Sequence, residues 1–363
     1  MTGVIPQADP ARRLGRFRSE IDQALKRVLD SGRLLLGPET AAFEQEFAAY
    51  LGGGEVVAVA SGASALTIAL TALGIGSGDE VVVPALTAVP TAGAIHRAGA
   101  LPIFADVDPL TRNLDSAALG AAIGPRTRAI VPVHLHGMPA DMPAILAVAR
   151  RHGLAVIEDC AQAHGTSLGG RMLGTFGHAA AFSFYPSKNL GAAGDAGAIF
   201  TADAVLAARA RRLRAHGLDD HGIAAETGET GRIDEMQAAI LRVLLPHLDA
   251  ANADRRRIAG EYSAALAGSG IELPPEFPTA NYHQFAVALD RRDEVRARMA
   301  QAGILTGIHY PRALHQHPAF KSAASLPVAE RLAARLLSLP IQPEVAEARA
   351  AQIAAVLLRS LRS

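Results

Sequence analysis

Two patterns of apolar positions divide the chain. Residues 19–31 and 38–51 read as helices, the second with Pro38 at a permitted first-turn position and Gly52 as its stop. From Glu55 the pattern changes to short apolar runs at 56–60, 81–83, 101–104, 129–133 and 155–157, separated by helical stretches such as 64–73 and 142–151. Runs apolar on both faces and alternating with helices predict an α/β domain built on a mostly parallel sheet. A loop at 228–232 precedes a helix over 234–245, and Pro246 marks a change. Two domains are expected. A large α/β domain spans residues 1–245, including the N-terminal helical segment. A smaller α+β domain spans 246–363, with a long helix at 247–266, a strand near 285–289 and a helix at 293–302.

In open α/β sheets ligands collect at the carboxyl ends of strands, so the residue types after each run matter most. The first run is followed by Ser61, Gly62, Ala63 and Ser64, small residues that open a helix and leave backbone N–H groups free for a phosphate. The fourth delivers His134, and the fifth delivers Glu158, Asp159, Cys160, Ala161 and Gln162. A further strand over 180–184 alternates, with Phe182 and Phe184 on one face and Ala181, Ser183 and Tyr185 on the other. Pro186 ends it. Lys188 follows in apolar surroundings, and Gly191, Gly194 and Gly197 are expected to clear side chains from a turn so that backbone approaches a bound group.

Composition sharpens the reading of Lys188. The chain has only three lysines, Lys26, Lys188 and Lys321, against 32 arginines. Arginine stays charged, whereas a desolvated lysine can present the neutral amine that attacks a carbonyl. Schiff-base chemistry is one reading of Lys188; a lysine snorkelling from a hairpin whose glycines only serve turns is the other. A cofactor with an aldehyde, a basic ring nitrogen and a phosphate would need an amine, a carboxylate and an anion cradle. Lys188, Asp159 and the Gly62–Ser64 segment with Ser183 offer all three. Asp159 would pair with the ring nitrogen or cap a following helix, and Gln162 would bond a ring hydroxyl or complete a capping box.

Other function classes recede. Formal charge is zero with no basic run, which argues against nucleic acid. No apolar run reaches the roughly 18 residues of a membrane span, and the N-terminus has no apolar signal core, so a cytoplasmic protein is expected. Cys160 is the single cysteine. His283, His309, His315 and His317 match no zinc spacing, so no metal is expected.

Several motifs in order carry a resemblance: LGPETAAFEQEFAAYLG, GIGSGDEVVVP, VPVHLHGMPADM, VIEDCAQAHG, FSFYPSKNLGAAGDAG and GRIDEMQAAILRV. From about Leu36 onward the chain resembles the pyridoxal-phosphate-dependent nucleotide-sugar aminotransferases of the DegT/DnrJ/EryC1/StrS group, which have the fold type I architecture. The resemblance implies that Lys188 holds the cofactor as a Schiff base and shuttles the proton. It places Asp159 on the pyridine nitrogen, Gln162 near the ring hydroxyl, and Ser183 with the backbone of Gly62 and Ala63 on the phosphate. It also implies a homodimer whose GRIDEMQ segment reaches the other subunit's site.

The chain departs from the pattern at four places. Ala88 stands where a ring often stacks on the cofactor, and Thr230 where an asparagine two residues before Arg232 is usual. Ala63 replaces a threonine, and His136 and Met138 replace tyrosine and glutamine. The loop GIHYPRALHQHPAF resembles that of members aminating the third carbon of a dTDP-keto-deoxysugar, although Ala313 and His317 replace proline and glutamine there. His309, Tyr310, His315 and Arg232 become candidate substrate contacts. The expected function is amino transfer from an amino acid, glutamate foremost, to such a sugar. Alternatives are the same chemistry on the fourth carbon or on a cyclitol, and a cofactor-binding regulator weakened by Ala88 and Thr230.

Overall fold

The computed structural model describes residues 3–219 and 221–362. Each apolar run becomes a strand: β1 (Glu55–Val59), β2 (Glu80–Pro84), β3 (Leu101–Ala105), β4 (Thr127–Ile130), β5 (Ala155–Asp159), β6 (Ala179–Ser183) and β7 (Gly197–Thr201). They form one sheet in the order β1-β7-β6-β5-β4-β2-β3. The pairs among β2 to β6 are parallel, whereas β7 runs antiparallel to both β1 and β6. The three glycines do not share one turn. Gly197 opens β7, because a Cβ there would overlap the backbone of Ser61 and Gly62.

Helices cover both faces: α1 (Pro10–Arg16), α2 (Arg18–Ser31), α3 (Pro38–Leu51), α4 (Gly62–Ala72), α5 (Val89–Arg97), α6 (Met142–His152), α7 (Ala204–Leu213), α8 (Glu235–Leu244) and α9 (Leu248–Leu266). Helix α3 has no side-chain cap of its own. The buried carboxylate of Glu235 takes that role, accepting from the amides of Gly37 (2.8 Å), Glu39 (2.9 Å) and Thr40 (2.8 Å) and from the Thr40 hydroxyl. An anionic acceptor at a helix N-terminus satisfies orphan donors and opposes the helix dipole. Phe43 and Phe47 of α3 meet Phe184 and Phe182 edge-on, with ring centroids 5.3 and 5.1 Å apart, so that face of β6 is sealed. Tyr185, on the other face, stays exposed.

Past α9 the chain builds a second layer around an antiparallel pair, β8 (Phe285–Ala288) and β9 (Leu336–Leu339), flanked by α10 (Arg292–Gln301) and α11 (Ala350–Arg362). The N-terminal residues join this layer. Ile5 pairs with Ile304, Gln7 donates to Gln284 (2.8 Å), and Asp9 exchanges two bonds with Gln342 (2.7 and 3.0 Å). Residues 5–9 thus lie on the second layer, and α1 carries the chain back to the large sheet. Among the described residues no helix is long and apolar enough to cross a membrane.

Candidate active site

The carboxyl ends of β1, β5 and β6 converge. Ser61 caps α4, its hydroxyl accepting from the Ser64 amide (3.1 Å), so the amides of Gly62 and Ala63 in the first turn have no acceptor within the helix. Gly62 abuts Ser183: a Cβ at 62 would stand 2.6 Å from the Ser183 Cβ. The glycine therefore keeps helix dipole, free amides and a hydroxyl in one small concavity, a cradle suited to a phosphate.

Asp159, at the end of β5, is buried and accepts from the Thr91 hydroxyl (2.9 Å) and the Ala161 amide (3.1 Å). No helix follows β5, so Asp159 caps nothing. Burial pushes its pKa up, countered by these two bonds and by the charge of Lys188. Lys188 shows the reciprocal effect: burial lowers its amine to about 8, with Asp159 opposing. The other lysines are exposed, Lys26 pairing with Asp30 and Lys321 lying on the surface.

Gln162 bridges the two layers. Its carbonyl accepts from the His136 amide (2.6 Å) and its amide donates to the Tyr310 hydroxyl (3.0 Å). The Tyr310 pKa is raised by burial and by Asp159. His309 lies close enough to feel Lys188, and burial followed by that charge holds it at about 4. His164 and His283 feel the same lysine, and burial keeps both well below the usual histidine range, His164 at about 3. Neutral imidazoles therefore surround the amine.

The remaining candidates make none of these side-chain bonds to Asp159 or Gln162. His315 bonds Glu330 (3.0 Å) and its ring lies beside Phe104. Ala88 precedes α5 and is partly exposed. Thr230 is exposed and bridges to Ala215, while Arg232 bridges to Val59 at the end of β1. Two contributors escaped the sequence reading. Thr91 carries no signal beyond its one-turn spacing from Thr87, whose hydroxyl it meets at 3.3 Å. Arg13 in α1 has no local signal, yet its guanidinium donates to the carbonyls around Lys188.

One buried cluster, His134, Glu158 and Cys160, has the composition of a metal site. Its donor atoms are already spent. His134 Nδ1 accepts from the Ala140 amide (3.0 Å) and Nε2 bonds Glu158 (3.0 Å), while the Glu158 oxygens accept from Gly174, Phe176 and Gly177. Burial pushes the Cys160 thiol up, away from the thiolate a metal needs.

An amine of lowered pKa, a buried carboxylate and a helix-terminus cradle at one end of a doubly covered sheet define a pyridoxal-phosphate site of the fold type I kind, and the residues present fit that group. Over residues 16–358 the sequence matches the DegT/DnrJ/EryC1/StrS aminotransferase family, and the chain belongs to it. It is 47% identical to a UDP-N-acetyl-3-dehydro-alpha-D-glucosamine 3-aminotransferase of Acidithiobacillus ferrooxidans, covering 99% of this chain and 98% of the relative. It is 46% identical to a dTDP-3-amino-3,4,6-trideoxy-alpha-D-glucose transaminase of Streptomyces venezuelae, covering 97% and 95%. Among solved structures, that of S. venezuelae DesV in complex with a ketimine intermediate superposes with a TM-score of 0.95 at 45% identity, covering 99% of this chain and 98% of that one. The chain is therefore a pyridoxal-phosphate-dependent aminotransferase.

Proposed function

We propose that the chain moves an amino group from an amino acid, glutamate being the expected donor, to the third carbon of a nucleotide-linked keto sugar. The observation that carries this is the agreement of two relatives of nearly equal identity on the third carbon. They differ in the nucleotide, UDP in one and dTDP in the other, so the conserved element of the reading is the carbon.

When bound, pyridoxal phosphate supplies the carbonyl that holds the amino group and the ring that draws electrons from the carbon losing its proton. The protein's part follows from its own groups. Lys188 Nζ holds the cofactor at rest. When not bonded to the cofactor, this amine would serve as the general acid–base group, taking the proton from the donor's α-carbon and returning it at the cofactor's carbonyl carbon across the shared nitrogen. Asp159 would pair with the ring nitrogen and favour its protonated form. Gln162, held by His136 and Tyr310, presents to the ring hydroxyl. Ser183, Ser64 and the amides of Gly62 and Ala63 take the phosphate. The same residues act in reverse on the sugar ketone, which His309 and Tyr310 face from the second layer.

We also infer a homodimer working in the cytoplasm. Leu34, Leu35, Leu36 and Met236 are exposed, and Leu35 pairs with Asp234, which puts this apolar strip beside the 228–232 loop. Such a strip next to a site favours burial by a second copy.

The test is a panel of UDP- and dTDP-linked 3-keto and 4-keto sugars offered with glutamate to the cofactor-loaded protein, with Lys188→Ala alongside. Amination of 3-keto sugars by the wild type alone supports the proposal. Exclusive turnover of 4-keto sugars would overturn the choice of carbon, and turnover by Lys188→Ala would overturn the role of the lysine.

A further inference from the structure

The turn that carries Lys188 is wound around a charge. Residues 185–191 form no regular element, and the backbone bonds that close the turn are Lys188 N–H to Tyr185 (2.8 Å) and Ala192 N–H to Phe184 (2.8 Å). Its carbonyls point inward instead. Arg13 Nη1 donates to Lys188 (2.6 Å) and, at 3.4 Å, to Asn189. Nη2 donates to Pro186 (2.7 Å) and Gly191 (3.1 Å). One guanidinium thus serves four carbonyls of a single turn.

Three observations set this apart from a surface anchor. Arg13 is buried, with 8% of its surface exposed. Among the described residues it makes no ion pair, its Nε has no partner, and burial lowers its pKa with only Glu344 opposing. A buried cation without a bonded carboxylate is costly, so a helix that merely needed docking would do better with an apolar side chain. Gly191 is shaped to it as well: a Cβ there would stand 2.5 Å from Arg13 Nη2 and 2.7 Å from the Pro186 carbonyl. The glycine admits the guanidinium and not a ligand. Finally, α1 is tied to the second layer, since Asp9 clasps Gln342 and Arg12 Nη1 donates to the Glu344 carbonyl (2.7 Å).

We propose that Arg13 is a positioning residue for amino transfer: its guanidinium is the buried centre that fixes the 185–191 turn and thereby where Lys188 stands. The planar fork is essential, because a lysine at 13 brings a point charge that cannot align with four acceptors in a plane. This rests on the reading that Lys188 is the cofactor lysine.

Three variants test it: Arg13→Ala, Arg13→Lys and Gly191→Ala. Three readouts accompany thermal melting. The first is hydrogen exchange of amides 185–192 in the cofactor-free protein. The second is the pH midpoint for capture of added pyridoxal phosphate by the free amine. The third is kcat and KM with glutamate. All three variants are expected to exchange faster at 185–192. Each should move the capture midpoint up by about one pH unit as the amine meets water, and lower kcat ~10-fold or more with KM for glutamate little changed. Millimolar guanidinium should restore part of the rate to Arg13→Ala and none to Gly191→Ala. Faster exchange confined to residues 10–16, with midpoint and kcat unchanged, would overturn the proposal and leave Arg13 an anchor. Should Arg13→Ala not fold, the other two carry the test, and wild-type values in both would overturn it equally. Lys188→Ala keeps the two readings apart: cofactor capture undiminished in that variant defeats the assignment of Lys188, not that of Arg13.

Discussion

Around Lys188 the ionisable groups are tuned by burial, and this has opposite consequences for its two ends. The amine is lowered to about 8, so between that value and the ordinary lysine pKa the unfolded chain binds more protons than the folded one. Folded stability contributed by this group therefore rises with pH across that window. The same shift sets reactivity: capture of pyridoxal phosphate by the cofactor-free protein should fall about tenfold per pH unit below 8 and level off above it, as followed by stopped-flow absorbance. Asp159 behaves conversely. Its folded pKa is raised, so its contribution is present below the unfolded value and lost as pH rises through the folded one. Burial, the largest influence on this carboxyl, disfavours its ionised form in the folded chain. Asp159→Asn is expected to raise the Tm of the cofactor-free chain by about 2 °C while slowing transamination ~100-fold or more. A fall in Tm would show that Thr91 and Ala161 more than offset the burial. What the sequence disclosed at this scale was the strand-end chemistry, since Asp159, Gln162 and Ser183 follow runs whose period is unmistakable. Thr91 and Arg13 were invisible because their contacts span 68 and 175 residues with no local pattern to announce them.

Elements were legible where one rhythm persisted. The apolar runs named β1, β2, β3, β5 and β6 to within two residues, whereas β4 starts and stops earlier, at 127–130 against a run at 129–133, and the alternation of Phe182 and Phe184 named the face that α3 would cover. Strand β7 was not legible: its glycines look like turn residues, and only the approach of Ser61 explains why Gly197 starts a strand. Helix α5 was missed for a similar reason, since VPTAGAIHR mixes proline, threonine and glycine, which weaken any helical signal. Distant capping was equally hidden. Glu235 lies almost two hundred residues from the helix it caps. Removing its second anionic oxygen in Glu235→Gln should cost about 2 kcal/mol, because amides now satisfied would face an amino group; calorimetry would register it as a lower Tm with α3 loosened first. An unchanged Tm would mean that water replaces the carboxylate.

Across the whole molecule the two layers are joined by Gln162, by the N-terminal strap and by α9. The exposed strip of Leu34, Leu35, Leu36 and Met236 lies beside the 228–232 loop through the Leu35–Asp234 pair. If the 228–232 loop serves the other copy, mixed dimers of Lys188→Ala with Arg232→Ala should recover about a quarter of wild-type activity, half the dimers being mixed and each holding one whole site. No recovery from two individually inactive variants would make each site self-contained. Among the described residues the His134–Glu158–Cys160 cluster has its His134 and Glu158 ligand atoms already bonded to the backbone, so chelation is expected to leave activity unchanged and added zinc not to raise Tm.

The scarcity of lysine also makes the protein a counter of its own occupancy. An amine-selective label meets Lys26 and Lys321 on the surface whatever the state of the site, whereas Lys188, if it holds the cofactor as proposed, is available only when the cofactor is absent. The intact mass after labelling would then fall into two classes one tag apart, and their ratio would read the fraction of loaded molecules in a mixed preparation without any chromophore or turnover assay.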